Sequence, residues 1–132
     1  LFIITALSLV SSVAMADGFR CQGQDFRVKL FNETQPGRGT RNPAVLVVSE
    51  RSIGTLATLE GEEITKTNRS TTVVYEGQTN GRQDGRFVAV KLVVAKTADT
   101  DGTHLARLTV NADGQSRSET LSCERYLKRD QQ

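Results

Sequence analysis

From Phe26 onward apolar and polar residues alternate with a period of two, the pattern of half-buried β-strands, and no stretch keeps a helical period. Phe26, Val28 and Leu30 alternate with Arg27 and Lys29. Ala44 to Val48 is a continuous apolar run, as in a strand buried on both faces or against a neighbour. Thr55–Leu59 and Glu63–Thr67 predict a hairpin turning at Glu60, Gly61 and Glu62, and Thr71–Tyr75 is a further strand rich in β-branched residues. Arg86–Lys96 predicts a strand with Val88, Val90, Leu92 and Val94 on one face and Phe87, Ala89, Lys91 and Val93 on the other. In Thr103–Asn111, His104, Ala106, Leu108 and Val110 share a face, and in Arg117–Tyr126, Leu121 and Cys123 point inward.

Between these runs stand turn residues: Asn80-Gly81, Asp84-Gly85, Asp101-Gly102 and Asp113-Gly114. At Gly23-Gln24-Asp25 the apolar face shifts from Phe19 and Cys21 to Phe26 and Val28, which needs either a tight turn or a β-bulge. The count comes to eight or nine short strands. It predicts an all-β fold, a small antiparallel meander of about eight strands that closes as a barrel or folds as a sandwich.

Residues 1–16 follow a different rule. Leu1 to Val10 is apolar and uncharged, and small residues follow it up to Ala14-Met15-Ala16. That is the apolar core and cleavage site of a secretory signal peptide. The expected organisation is a signal peptide over 1–16 and a single all-β domain over 17–132, exported to the periplasm or beyond the cell. The apolar run is too short for a span of roughly 20 residues, so no transmembrane segment is expected in the mature chain.

An oxidising destination changes the reading of the cysteines. Cys21 and Cys123 are the only two, and an exported chain with two cysteines is expected to pair them. The bond would tie the first strand to the last, and barrel closure would make those strands neighbours. Zinc would need about four ligands at short spacing, and the only histidine is His104; no metal and no cofactor is expected.

The 17 Lys and Arg nearly balance the 15 Asp and Glu, and the arginines are scattered. Nucleic acid would need a basic excess on one face, or aromatic platforms for single strands; there is no Trp. No nucleic-acid partner is expected. Neither a Gly-x-Ser-x-Gly elbow nor a free thiol beside a base is present, so no enzyme activity is expected. His104 reads as a hydrogen-bonded residue at the barrel rim, and Asp99-Thr100-Asp101-Gly102 as a hairpin turn rather than a calcium loop, because no bidentate Glu follows. Asn32-Glu33-Thr34 and Asn68-Arg69-Ser70 match the N-glycosylation pattern.

One loop stands out. Glu33 to Pro43 carries two prolines and two glycines and is long for a compact domain. Loops of this length bind something or carry no fixed structure. Arg38, Thr40 and Arg41, set among glycines, form the candidate binding residues, with the guanidiniums suited to a carboxylate or phosphate.

Phe19-Arg20-Cys21 near one end and Leu121-Ser122-Cys123-Glu124 near the other resemble the termini of small periplasmic, disulfide-closed β-barrels such as the inhibitors of c-type lysozyme. The resemblance covers the termini and the strand count. The Ser- and Gly-containing inhibitory loop of that family differs from Ser49–Gly54 here, and no residue role is carried over. The expected function is that of an exported, monomeric, non-enzymatic binding or inhibitor-type barrel acting through its loops on a protein partner. The alternative is a lipocalin-like carrier with a small apolar ligand inside the barrel, since eight strands leave about that much room. Side-chain size at Val88, Val90, Leu92, Val94, Leu108 and Val110 decides between a filled and a hollow interior.

Overall fold

The computed structural model describes residues 18–33, 36, 45–79 and 87–126. The signal-peptide expectation for 1–16 and the candidate residues Arg38, Thr40 and Arg41 lie outside them. Among the described residues there are nine strands: β1 (Gly18–Gln22), β2 (Phe26–Phe31), β3 (Val45–Glu50), β4 (Gly54–Glu60), β5 (Thr65–Asn68), β6 (Thr72–Gln78), β7 (Val88–Ala95), β8 (His104–Ala112) and β9 (Gln115–Tyr126). All ladders are antiparallel, in one curled half-barrel sheet of order β4-β3-β2-β1-β9-β8-β7-β6-β5.

The alternation in sequence becomes alternation in burial. β7 reads buried at Val88, Val90, Leu92 and Val94 with partly exposed or exposed residues between them, and Ala106, Leu108 and Val110 on β8 lie on the same inner face. They meet Phe19, Val28, Leu30, Leu46, Val48, Tyr75 and Leu121 in one core. Gly23–Asp25 is a tight turn between β1 and β2, closed by the Gly23 amide donating to the Phe26 carbonyl (3.0 Å). Asp113 and Gly114 both have positive φ (55° and 76°), the geometry of the two-residue turn that suits the twist of β8 and β9.

First and last strands do become neighbours. Cys21 stands directly opposite Cys123 in the β1–β9 ladder, and the two form a disulfide with Cα atoms 3.9 Å apart.

The hairpin expected at Glu60–Glu62 is not formed. β4 pairs with β3 and β5 with β6, so these two consecutive strands are the opposite edges of the sheet. The reason is local. Gly61–Glu63 forms a 3₁₀ turn, and Ile64 behind it is buried in the core (1 % exposed) and lies outside both strands. A two-strand ladder needs both strands to leave the turn side by side; here the chain dives inward first. The Glu63 carbonyl then lies so close to Gly77 of β6 that a Cβ there would overlap it, which makes glycine necessary at that crossing. The sheet is therefore closed by hydrogen bonds between β1 and β9 and open in the middle of the chain.

Candidate functional site

The open seam ends in a cleft at the end of the barrel that carries the β1–β2, β3–β4 and β8–β9 turns. Its volume is about 600 Å³. One wall is β4 with Ile53 before it; the other is made by Thr79, Val88, Val110 and Ala112. A register shift between Val48 and Ser49, with Leu56 as the extra residue, puts a bulge near the start of β4. Ile53 is 70 % exposed, and Phe87, at the same end and next to Val88, is 60 % exposed.

Charged side chains brace this end. Glu50 continues the inner face of Leu46 and Val48, and Arg117 continues that of Leu121 and Cys123. They meet across the barrel in a two-pronged pair: Arg117 donates from Nη2 to Oε1 of Glu50 (2.7 Å) and from Nη1 to Oε2 (3.0 Å). The guanidinium also lies 4.8 Å from the Phe26 ring centre. Glu119 accepts the amides of Asp25 (2.8 Å) and Phe26 (3.0 Å), which pins the β1–β2 turn. Arg51 donates to the Gly23 carbonyl (3.1 Å from Nη2) and so ties the β3–β4 turn to the same place. The turns around the cleft are held by this network, which suits them to present a fixed surface.

The Arg117 hydrogen bond, helped by its charge and opposed by burial, holds the Glu50 carboxyl below its ordinary value of 4.5. A carboxylate whose folded pKa is lowered adds stability above its unfolded value, and that share is lost as pH falls through the folded value. The expected result is a melting temperature that drops on acidification below the ordinary glutamate range, with a shallower drop in Glu50→Gln. Thermal melts of the two proteins at matched pH steps check it; parallel curves would remove Glu50 from the acid response.

At the opposite end a second charged group is fully buried. Glu33 accepts hydrogen bonds from Lys66 Nζ (3.0 Å to Oε1) and from the Tyr75 hydroxyl (2.5 Å to Oε2). The Glu33 and Lys66 side chains are 1 % and 5 % exposed. Tyr75 in turn packs edge-on against Phe19. Glu33, which the sequence placed at the start of the long candidate binding loop, is thus anchored to the barrel just after β2.

Of the other residues singled out by sequence, His104 Nδ1 donates to the Ala95 carbonyl (2.7 Å) and is half-buried at its strand start. Asp99 accepts the amides of Asp101 (2.9 Å) and Thr103 (3.0 Å), so its carboxylate shapes the hairpin turn. Among the described residues no three His, Cys, Asp or Glu side chains gather as metal ligands. Asn68 of the second glycosylation match is exposed where β5 turns into β6. The Glu33–Pro43 loop leaves β2 and rejoins β3 at the Phe31–Val45 pair, the end opposite the cleft. Sequence reading missed the Glu50–Arg117 and Glu33–Lys66 pairs. The signal for the first was present, since both residues lie in phase with an apolar face.

No family model, curated protein or solved structure matches the chain. The likeness of the two termini to the lysozyme inhibitors therefore gains nothing from these comparisons, and the functional reading rests on the cleft.

The disulfide points to an oxidising compartment. Among the described residues no helix is long and apolar enough to cross a membrane.

Proposed function

We propose that this chain is an exported, non-enzymatic binding protein that engages a protein partner with the turns and cleft at one end of a rigid barrel. The observation that carries the reading is the rim. Ile53 and Phe87 are large, apolar and exposed at the end where the cleft opens, and the Arg51, Glu119 and Arg117 contacts hold the neighbouring turns in place. Exposed apolar residues beside a concave, braced surface mark interaction sites. The loop with Arg38, Thr40 and Arg41 belongs to the same proposal only as a separate contact, because it leaves the barrel from the other end.

A photo-crosslinker placed at position 53 or 87, in protein expressed in its own host, tests this. A discrete protein adduct from both positions, and none from position 105, is expected; Leu105 is equally exposed (63 %) but sits away from the cleft. Adducts of equal pattern from all three positions, or none from the rim, would overturn it. Arg38→Ala with Arg41→Ala in the same assay decides whether the long loop takes part.

A second reading places a small ligand in the cleft. Its volume falls within the range of about 300–1,000 Å³ usual for ligand sites, and its walls set Leu56, Ala57, Val88, Val110 and Ala112 beside the polar Thr55, Thr58, Gln115 and Arg117. It differs from a hollow carrier, because Val90, Leu92, Val94 and Leu108 are packed into the core. Native mass spectrometry of protein from the host envelope checks it by a small adduct.

A further inference from the structure

We propose that the outer face of β1 and β2 is a docking surface for an anionic phospholipid bilayer. It is a different surface from the rim and stands independently of the binding reading above.

Cys21 and Val28 stand opposite each other and point into the core, so their neighbours along each strand point outward. These are Arg20 and Gln22 on β1 and Arg27 and Lys29 on β2, all exposed. Arg20 is directly opposite Lys29, and Arg27 lies two positions along the same face. One acid shares the patch: Glu124 of β9, with Oε1 3.9 Å from Arg20 Nε and both side chains open to solvent. On the other flank β3 presents Val45, Val47 and Ser49, none of them charged. A chain with 17 cations against 15 anions has no excess in its composition; the local excess arises from the register of β1 on β2.

This arrangement works against the sheet. Like charges directly opposite in a ladder destabilise it. On β6 and β7 the outward pair is of opposite sign, Glu76 facing Lys91. Among the described residues neither Arg27 nor Lys29 has an ion-pair partner. Cations held together without an internal counter-charge favour a negative partner outside the fold.

The neighbours of the cations select a bilayer. All three cations are exposed on the side wall of the barrel, where a broad anionic surface meets them at once. Beside them on the same face Phe31, Val45 and Val47 are partly exposed. A bilayer sets negative headgroups above an acyl boundary and so offers something to both kinds of side chain. A soluble acidic chain would use the cations alone. Each cation near such a surface raises partition about fivefold, and three raise it on the order of a hundredfold at low salt. Binding of this kind is peripheral and reversible, and salt screens it.

The test is co-sedimentation of the full chain with vesicles of phosphatidylglycerol in phosphatidylcholine, and with phosphatidylcholine alone. Binding to the first, little to the second, and release by added salt are expected. Arg27→Gln with Lys29→Gln should weaken it about twenty-five-fold. Lys91→Gln with Arg107→Gln, which removes outward cations of β7 and β8, should leave it unchanged. Glu124→Gln should tighten it, a gain that a poorly folded variant cannot give. No binding to the anionic vesicles at low salt overturns the proposal. So does an equal loss in the Lys91 and Arg107 pair, because the attraction would then follow net charge rather than this face. Binding to soluble poly-glutamate as tight as to vesicles also overturns it and makes the partner an acidic chain. Crosslinking at positions 53 and 87 is read separately, so the rim and the outer face can fail one without the other.

Discussion

Replacing Cys21 or Cys123 by serine is expected to lower the melting temperature by more than about ten degrees, and the same loss should follow reduction of the parent protein. The bond closes a loop with a sequence separation of 102. In the chain-entropy argument a loop of about 100 residues is worth roughly 4.7 kcal/mol, and engineered or native bonds often deliver less, about 2–4 kcal/mol. Each kcal/mol moves the midpoint of a domain this size by roughly 4 °C or more. The topology argues for the upper part of that range. β1 to β4 form one run of neighbours and β5 to β9 another, and in the sheet order the β1–β9 ladder is the junction between them. Its five residue pairs include the cysteines themselves. Losing the bond therefore loosens the backbone ladder that joins the two halves. Calorimetry of the serine variants against the parent, with and without reductant, checks it. An unchanged midpoint would mean that the ladder and the side-chain pairs across it hold the halves together without the bond.

The second large effect is expected at the buried charge pair. Lys66→Met should cost about 3–5 kcal/mol, the penalty for leaving one partner of a buried pair behind. Glu33 then keeps the Tyr75 hydroxyl but loses the ammonium at 2.9–3.0 Å, in a site where its own side chain is 1 % exposed. Adding Glu33→Gln to Lys66→Met should recover most of the loss, because a neutral amide still accepts the Tyr75 hydrogen bond and carries no charge to desolvate. Denaturant unfolding of both single variants and the double variant gives the coupling energy directly. A loss under about 1 kcal/mol in Lys66→Met would show that solvent reaches Glu33 and replaces the ammonium. The pair also bears on the long loop. Glu33 is its first residue, and Pro36 shortly after it is buried too, so weakening the pair should release the start of the loop. Proteolysis within residues 34–44, quicker in Lys66→Met than in the parent, would register that release.

Both effects were legible in the sequence to very different degrees. The disulfide followed from a count of two cysteines in a chain read as exported, because a single pairing leaves no choice. Glu33 gave no sign of burial: it precedes Pro36, Gly37 and Gly39, and nothing local separates an anchoring carboxylate from a solvated one. Its partners Lys66 and Tyr75 lie 33 and 42 residues away. Glu50 and Arg117 stood between these cases. Each extends an inward-facing alternation, yet a charge at a strand end faces solvent as readily as a partner across the barrel, and the register that joins them spans 67 residues.

The period of two along the chain determined that this protein is all-β, which face of each strand is inward, and where most turns fall, because side-chain alternation and turn residues act over a few positions. It did not determine which strands are neighbours. Backbone ladders are chemically alike for every pair, so the choice between a Thr55–Leu59/Glu63–Thr67 hairpin and two separate edges rested on where Ile64 could be buried and on Gly77 letting the Glu63 carbonyl come close. That decision belongs to the tertiary structure. It opened the sheet at β4, and with it the cleft on which the functional reading depends.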